Sequence, residues 1–559
     1  MVQTTYASKQ AEFQSSEAAL TSAVRNYGNA KQWAVALNLF ACVSRTLVRK
    51  NTVLYNALIS ALGKGGQREQ ALMLLRELSG SDLQPDTISY NSGISACEKS
   101  GQWQQALSLL DGLGQMALRP DMISCSAATS ACEKGGQWQR ALTILGETRQ
   151  LDISPNVVGY SAAISACEKG GEWEHALALL AEMRHVGVEA NIVSCCAAIS
   201  ACEKGRRWPE ALSLLRAVRR ARLQPSPVGC NAAIGACGKG REWQLALLLL
   251  SSMGEAKVVP NVRSYNAAIS ACENGEQWQQ AMSLLIEAKR LTLQPDEFSY
   301  NAAISACGKG GQWQHALTLF GELRLVELFP DQISYGVAVS ACEKGGQWQR
   351  ALTLYRELRQ AKLSANVVVL SAAISACEKC GEWKQALSLL SEAWELRLDA
   401  NTISYNAAIS ACEKGGQWQQ ALLVFRGFGT RTLKPDVISY NAAICACGKS
   451  SQWRQALMLF TEMQHRNIET DTTSHNVAIS ACGQGQQWRW ALPMLREMRD
   501  AITHPNVISY NCVLLSCQDG GQVLQVVPLL EELRGVKLEP DSLSYSAGIG
   551  ACERAEQWD

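Results

Sequence analysis

Apolar and polar residues follow a pattern of constant length along this chain. In the segment 402–436, small and branched apolar residues recur at three- and four-residue steps, which predicts a helix that is apolar on much of its surface. Gly415 and Gly416 predict its end, because glycine is favoured just after a helix C-terminus. A second helix is predicted from Trp418, and the sequence LKPD at 433–436 ends the segment because proline interrupts a helix. The segment is therefore predicted to be a helix-turn-helix unit.

The same unit recurs every 35 residues without an insertion. Asn406 is its fifth residue, and the equivalent position runs from Asn56 to Ser546, preceded by a degenerate copy with Thr21 in that place. We divide the chain into an N-terminal capping or leader segment at 1–16, fifteen tandem repeats at 17–541 and a truncated sixteenth repeat at 542–559. Neither helix buries its apolar face alone, so the units are expected to stack into one continuous core. The sequence predicts an all-α fold, an α-solenoid.

Composition limits the classes of partner. Among 559 residues, 52 Lys plus Arg nearly balance 51 Asp plus Glu, so a net charge of +1 creates no global basic field. Nucleic-acid binding would then depend on local patches and base contacts. No apolar run approaches the roughly 18 residues that a membrane span requires, so no membrane partner is expected. The N-terminus has neither the apolar stretch of a signal peptide nor the Arg-rich, acid-poor composition of a transit peptide.

The 22 cysteines do not have the spacing of a disulfide framework. Fourteen of them fall 35 residues apart, from Cys97 to Cys552. Equivalent positions on stacked helices lie roughly 8–10 Å apart, whereas a disulfide needs Cα atoms within about 7 Å. We therefore interpret this column as small buried apolar residues in a reducing compartment.

The sequence offers no support for a catalytic or metal site. Six histidines are too few and too scattered for a repeated site. The CxxC at Cys377 and Cys380 has neither a second pair nor a nearby histidine, so it is a weak metal signal. The glycine pairs end helices rather than forming phosphate-binding loops. We expect neither enzymatic activity nor a cofactor.

A tryptophan opens the second helix of nearly every unit. It is present at Trp33, in every unit from Trp103 to Trp488, and at Trp558, while Arg68 and Val523 replace it in two units. Such a column could stack bases, or it could pack between the paired helices. Its place at the turn between the helices favours packing.

Units of 35 residues that open with ISYN and close with LxPD resemble the pentatricopeptide repeat family, in its pure 35-residue class. The resemblance covers about residues 17–559, whereas the tetratricopeptide repeat has a 34-residue period and other marker residues. It implies a right-handed α-solenoid superhelix that binds single-stranded RNA, one base per repeat, with the RNA running 5′ to 3′ from the N-terminal repeats. It also implies a monomeric chloroplast or mitochondrial protein in RNA processing, stabilisation or translation, alongside a separate processing or editing enzyme.

The resemblance further implies which residues contact RNA. In that family the fifth and last residues of each repeat select the base, and the second residue would sandwich it. Apart from the resemblance, lysines at the ends of first helices are candidates for phosphate contacts. The fifth residues are Thr21, Asn56, Asn91, Ser126, Ser161, Asn231, Asn266, Asn301, Ser371, Asn406, Asn441, Asn476 and Asn511. The last residues are Asn51, Asp86, Asp121, Asn156, Asn191, Asn261, Asp296, Asp331, Asn401, Asp436, Asp471, Asn506 and Asp541. The sandwiching residues are Val53, Ile88, Ile123, Val158, Val193, Val228, Ile333, Val368, Ile403, Ile438 and Ile508. The lysines are Lys99, Lys134, Lys169, Lys309, Lys344 and Lys414, although a lysine there also favours the helix dipole.

The fifth and last columns are coupled. All seven repeats that end in Asp carry Asn as fifth residue, a state that nine of the fifteen complete repeats share. Random pairing gives this in about 0.6% of arrangements, although duplication of whole repeats also produces coupling. The family's code then implies the A/U-rich target 5′-AUUAANCUUNAUUCU-3′, in which Cys196 with Ser226 and Gly336 with Asn366 stay unread. The rival hypothesis is a protein-binding α-solenoid scaffold, which requires no such coupling.

Overall fold

The computed structural model describes residues 17–30, 32–43, 51–81, 83–151, 153–221, 223–326, 328–361, 363, 366–395, 400–428, 433–500, 504–519, 523–536 and 538–554. The regular secondary structure of these residues consists of 31 α-helices and no strands. First and second helices alternate along the chain. The chain divides into two compact units, residues 1–275 with 290–293 and residues 276–289 with 294–559. The predicted N-terminal segment 1–16 and Trp558 lie outside the described residues.

The first compact unit contains helices α1 to α15. Its first helices are α1 (Glu17–Asn29), α3 (Thr52–Lys64), α5 (Thr87–Lys99), α7 (Met122–Lys134), α9 (Val157–Gly170), α11 (Ile192–Lys204), α13 (Pro227–Lys239) and α15 (Val262–Asn274). Its second helices are α2 (Trp33–Val43), α4 (Arg68–Ser79), α6 (Trp103–Gln115), α8 (Trp138–Gln150), α10 (Trp173–His185), α12 (Trp208–Arg220) and α14 (Trp243–Glu255).

The second compact unit contains helices α16 to α31. Its first helices are α17 (Glu297–Lys309), α19 (Gln332–Lys344), α21 (Val367–Lys379), α23 (Thr402–Lys414), α25 (Val437–Lys449), α27 (Thr472–Gln484), α29 (Val507–Asp519) and α31 (Ser542–Arg554). Its second helices are α16 (Trp278–Arg290), α18 (Trp313–Leu325), α20 (Trp348–Gln360), α22 (Trp383–Glu395), α24 (Trp418–Gly427), α26 (Trp453–His465), α28 (Trp488–Asp500) and α30 (Val523–Gly535).

Within each compact unit, a first helix packs against its own second helix and against the first helices of the neighbouring repeats. The predicted all-α repeat solenoid is thereby confirmed. In the segment used to define the repeat, α23 ends at Lys414 and α24 begins at Trp418, as the glycine pair and the tryptophan predicted. The chain passes Gly416 with φ near +67°, a conformation that glycine adopts without a steric cost.

The last residue of a repeat starts the first helix that follows. Asp86 is the N-cap of α5: the backbone N–H of Ser89 donates to Asp86 Oδ1 at 2.8 Å, and the N–H of Asp86 donates to Ser89 Oγ at 3.3 Å. Asn156 caps α9 in the same way, with the N–H of Gly159 donating to its Oδ1 at 2.8 Å. Removing such a cap typically costs about 1 kcal/mol. The LxPD signature therefore combines a chain turn with a helix start.

The tryptophan column packs between repeats, onto the glycine just after the next first helix. A Cβ atom added to Gly135 would lie 2.3 Å from Cδ1 of Trp103, and one added to Gly345 would lie 2.4 Å from Cδ1 of Trp313. The indole ring thus occupies the space that a larger side chain would need. The interpretation of the tryptophans as packing residues holds. The correction is that each ring also packs against the next repeat, and not only between the two helices of its own repeat.

The 35-residue cysteine column lies in the core. Cys132, Cys167 and Cys412 are fully buried, and burial raises the pKa of each thiol to about 11. All described cysteines are free thiols. The interpretation of this column as small buried residues is confirmed for its described members, since Cys552 has no described side chain.

Candidate nucleic-acid interface

Fifth and last residues of a repeat, 30 positions apart in the sequence, meet between adjacent first helices. Asn56 Nδ2 donates to Asp86 Oδ1 at 3.0 Å, and Asn406 Nδ2 donates to Asp436 Oδ1 at 3.1 Å. Equivalent contacts of 2.9–3.5 Å join Asn91 to Asp121, Ser126 to Asn156, Ser161 to Asn191, Asn231 to Asn261, Ser371 to Asn401, Asn476 to Asn506 and Asn511 to Asp541. The two columns that are coupled in sequence are therefore in direct contact.

Other predicted pairs occupy equivalent places in the fold. Asp331 caps α19, the first helix of the repeat after that of Asn301, and Asp471 caps α27, the first helix of the repeat after that of Asn441. At the N-terminal end, the side chain of Asn51 caps α3 by accepting from the N–H of Leu54 at 2.9 Å. Asn266 and Asp296 belong to different compact units, where Asn266 is buried on α15 and Asp296 caps α17.

Capping determines which atom of the last residue remains for a ligand. In Asp86 and Asp436 the bonds from the capped helix and from the fifth residue all converge on Oδ1, so Oδ2, an acceptor, stays available among the described residues. In Asn156 and Asn191 the cap likewise uses Oδ1, which leaves Nδ2, a donor. These two Asp repeats thus present an acceptor and these two Asn repeats a donor. In Asp121 and Asp541 the amide of the fifth residue lies 2.9–3.1 Å from both carboxylate oxygens.

The same bonds keep the carboxylates ionised. Burial alone would raise the pKa of Asp86, but hydrogen bonds from Ser89 and from the Asn56 amide outweigh it and hold the pKa below its ordinary value. The pKa of Asp436 is lowered in the same way, against burial, by Ser439 and Asn406. A carboxylate that stays charged remains an acceptor throughout the neutral range.

The fifth residues lie deeper than the last ones. Asn56, Asn91, Ser126, Ser161, Asn266, Ser371 and Asn511 are only 7–9% exposed, while the other predicted base-selecting fifth residues are half-buried. In Asn91, Asn301 and Asn441 the buried Oδ1 atom has no hydrogen-bond partner within the described part of the chain. The serines also donate to the carbonyl four residues before them, as Ser126 does to Met122 at 2.6 Å. The fifth residue therefore orients the last one and limits the space beside it.

Exposed apolar side chains flank each pair. The eleven predicted sandwiching residues are 50–70% exposed, from Val53 to Val368. Transfer of an apolar side chain out of water is favourable, so a regularly spaced row of exposed apolar side chains is typical of a binding surface. Sequence reasoning omitted Phe298, which is 58% exposed at the same position of its repeat, and Leu543, which is 53% exposed. Their place at the second residue of the 35-residue register was the signal that could have found them.

Family models match the chain over most of its length. The PPR repeat family model matches residues 50–97, 260–309 and 435–484. The pentatricopeptide repeat domain model matches residues 108–172, 178–240, 213–274 and 388–450. The PPR repeat model matches residues 88–115, 158–188, 298–325, 333–363 and 368–398. The chain belongs to the pentatricopeptide repeat family.

A solved pentatricopeptide repeat protein, maize PPR10, shares the fold. The crystal structure of maize PPR10 is 20% identical, with a TM-score of 0.59, over 96% of this chain and 81% of that one. PPR10 in complex with an 18-nucleotide psaJ RNA element is also 20% identical, over 96% of this chain and 84% of that one, with a TM-score of 0.49. The PPR domain of Arabidopsis thaliana protein-only RNase P 1, in complex with tRNA, is 15% identical over 32% of this chain and 95% of that one, with a TM-score of 0.29. No curated protein matches the chain significantly.

The lysines of this pentatricopeptide repeat protein are mostly engaged with the preceding repeat. Lys134, Lys169 and Lys414 form ion pairs with Glu98, Glu133 and Glu378 at 3.1–3.2 Å. Exposed pairs of this kind contribute about 0–1 kcal/mol. Lys204, Lys239, Lys379 and Lys449 form the same pairs. At Lys344 the facing residue is Gly308, so the positive charge has no ion-pair partner among the described residues.

Two repeats depart from the Asn or Ser pattern at the fifth residue. Cys196 Sγ lies 3.0 Å from Ser226 Oγ, so this pair keeps the contact with weaker donors and acceptors. Gly336 has no side chain, and Asn366 is left with the cap bond from the N–H of Val369 at 2.9 Å.

In the described part of the chain there is no cluster of metal-ligating side chains and no helix long and apolar enough to cross a bilayer.

Proposed function

We propose that this pentatricopeptide repeat protein binds single-stranded RNA sequence-specifically, one base per repeat, and performs no chemistry of its own. The main support is the direct contact between fifth and last residues, whose identities are coupled in the sequence. Capping alone does not account for that coupling, because Asp and Asn both cap helices well. A serine hydroxyl could also donate to an aspartate, yet no repeat combines the two. A ligand that distinguishes the combinations would supply such a constraint, and duplication of whole repeats would also preserve it.

The free atom of the last residue accounts for the base that it selects. The acceptor Oδ2 of an Asp repeat suits the N3–H donor of uracil, and the donor Nδ2 of an Asn repeat suits a ring nitrogen of adenine or cytosine. The size of the fifth residue then determines whether a pyrimidine or a purine fits beside the last residue. Asn leaves room for a pyrimidine, as in the Asn406 repeat, whereas the shorter Ser126 leaves room for a purine.

These assignments give the target 5′-AUUAANCUUNAUUCU-3′. Exposed second residues such as Ile403 and Ile438 would enclose each base between them. Base stacking and contacts contribute about 1–3 kcal/mol each, and fifteen in full would exceed the practical limit of affinity near −20 kcal/mol. Only a subset of repeats therefore engages fully at one time. Because the net charge is only +1, we expect the binding free energy to come mainly from these base contacts rather than from a basic surface.

Family membership supports a role in organelle RNA, in the chloroplast or the mitochondrion. There the protein would occupy RNA and thereby block nucleases or remodel structure, during processing, stabilisation or translation. A separate processing or editing enzyme would supply any chemistry. A monomer fits this role, because one chain presents the whole row of base sites.

A titration of the predicted RNA tests the function. Fluorescence anisotropy would compare 5′-AUUAANCUUNAUUCU-3′ with a scrambled oligonucleotide of the same composition at 0.15 M salt. We expect the predicted RNA to bind at least about tenfold more tightly, since several mismatched bases each cost about 1–3 kcal/mol. Equal affinities would reject the base code, and no binding to either RNA would favour the protein-binding scaffold.

A further inference from the structure

In several repeats the third residue contacts the fifth residue of the repeat before it, 33 positions earlier in the sequence. The hydroxyl of Ser439 lies 2.6 Å from Asn406 Oδ1, and the hydroxyl of Ser89 lies 2.6 Å from Asn56 Oδ1. Equivalent contacts of 2.5–2.8 Å join Ser544 to Asn511, Ser194 to Ser161 and Ser404 to Ser371. These third-position serines are fully buried. A third side chain therefore belongs to the contact between fifth and last residues.

The identities of the two positions are coupled across the repeat boundary. All nine asparagines at the fifth position are followed by serine 33 residues later, whereas only two of the other six complete repeats are. Within one repeat, by contrast, Asn56 and Asn231 follow Leu54 and Gly229 rather than serine. Duplication of single repeats preserves a pairing within a repeat, but not a pairing between neighbouring repeats. The coupling therefore points to the contact itself.

The two repeats with unusual fifth residues also have unusual residues at this third position. A Cβ atom added to Gly229 would lie 2.8 Å from Cys196 Sγ, so the cysteine takes the space that a serine would need. A Cβ atom added to Gly336 would lie 3.2 Å from Cγ2 of the buried Val369. A side chain at one position is thus matched by a glycine at the other, as expected for two positions that share one close-packed space.

In the Asn406 repeat the serine holds one end of the fifth-residue amide. Asp436 Oδ1 already accepts from the N–H of Ser439 at 2.8 Å and from Asn406 Nδ2 at 3.1 Å. Asn406 Oδ1 has no donor other than the Ser439 hydroxyl in the part of the chain that the structure describes. With the hydroxyl at Oδ1 and the carboxylate at Nδ2, both ends of the amide are held.

We propose that this third residue is a positioning residue for base selection by the preceding repeat, so that three side chains rather than two define a base site. This inference rests on the proposed RNA-binding function. The third residue holds the fifth side chain from the buried side, and the fifth side chain in turn orients the last residue and limits the space for a base. In the repeat 332–366, Val369 offers no hydroxyl and lies against Gly336.

Ser439→Ala removes the hydroxyl and tests the proposal in the full chain. Fluorescence anisotropy with RNAs that carry U or C at nucleotide 12 would measure the preference for U, which should fall about fivefold. The matched control is Ser124→Ala, in a capping box with Asp121 where Asn91 Oδ1 has no hydrogen-bond partner among the described residues. It should leave the preference for U at nucleotide 3 nearly unchanged.

An equal loss of affinity for U and C in Ser439→Ala would identify a purely structural role and overturn the proposal. An equal fall of the preference in both variants would also overturn it, because both variants lose the serine of a capping box. Circular dichroism and thermal unfolding would show that the variants keep their helices.

A second test rebuilds a base site in the repeat 332–366. Gly336→Ser together with Val369→Ser recreates the combination of Ser161, Asn191 and Ser194. Among four 15-nucleotide RNAs that differ only at nucleotide 10, the double variant should prefer A by about tenfold. Gly336→Ser alone should reach at most about a third of that preference, because its Cβ would be crowded by the valine. A full preference for A in the single variant, or none in the double variant, would overturn the proposal.

The wild-type protein at nucleotide 3, opposite Asn91 and Asp121, separates this proposal from the proposed function. If the wild type discriminates U from C there and the variants behave like the wild type, only the role of the third residue fails. If the wild type does not discriminate there, the base code fails as a whole.

Discussion

The amide of Asn406 donates a hydrogen bond to the carboxylate of Asp436 at 3.1 Å, across 30 residues of sequence. The hydroxyl of Ser439, on the helix that Asp436 caps, lies 2.6 Å from Asn406 Oδ1 and 2.7 Å from Asp436 Oδ1, so these two acceptors share its one proton. Two side chains, one from α23 and one from α25, thus hold the Asp436 carboxylate in one orientation. The residue that we propose to select a base therefore also caps a helix.

Exchanging Asp436 for Asn should change base preference without weakening the helix. Asp436→Asn keeps an oxygen to cap α25 but replaces the outward acceptor with a donor. We expect nucleotide 12 to change from U to C, measured by anisotropy with the four possible RNAs. Asp436→Ala, by contrast, loses the cap, at a cost of about 1 kcal/mol. Hydrogen exchange of the first turn of α25 should accelerate only in the alanine variant, and acceleration in both would refute the shared role.

Adding a methyl group at Gly135 should destabilise the repeat. The new Cβ would lie 2.3 Å from Cδ1 of Trp103, so the indole ring must shift, at a cost of about 1–3 kcal/mol. The control is Gly146→Ala in α8, where no atom lies within 4 Å of the added Cβ. That change should stabilise the helix by about 0.5–1 kcal/mol. Urea unfolding monitored by circular dichroism would measure both, and similar effects would contradict the packing account.

Cysteine reactivity should divide the thiols into two groups. Burial raises the pKa of Cys132, Cys342 and Cys447 to about 11, so they are neither accessible nor ionised near pH 8. Cys380 is exposed at the end of α21. We expect iodoacetamide to modify Cys380 in the folded protein and the buried column only after unfolding. Peptide mass spectrometry would follow each site, and rapid labelling of the column would contradict its burial.

Acid should weaken the Asp-capped helices. The pKa of Asp86, Asp436 and Asp471 is lowered because hydrogen bonds outweigh burial, so folding favours the ionised form. Their contribution is fully present above the unfolded pKa, near 4, and is lost as the pH falls through the lower folded value. In a triple variant that carries Asp86→Asn, Asp436→Asn and Asp471→Asn, each asparagine still caps its helix but has no group that titrates. Its free energy of unfolding should fall less steeply than that of the wild type between about pH 5 and 2. Parallel curves would show that the caps do not titrate.

The sequence alone predicted the helices and most of the repeat. Local backbone preferences at the glycine pairs, the tryptophans and the LxPD sequence determine where helices start and end. The bounds of α23 and α24 could therefore be predicted from residues 402–436 alone. The 35-residue period predicts stacking, because an apolar face must be covered. The exposure of residues such as Ile403 was expected only through the family resemblance, since nothing in one unit says which apolar residue its neighbours leave uncovered.

What only the tertiary structure decided is which side chains meet across repeats. Asn406 and Asp436 were two coupled columns in the sequence, whereas their contact arises because Asp436 caps the helix beside that of Asn406. Trp103 lies over Gly135, and Lys344 faces Gly308 rather than a glutamate, for the same reason. Such contacts depend on the distance between stacked helices, and that distance is determined by the packing of whole repeats rather than by any local preference of the chain.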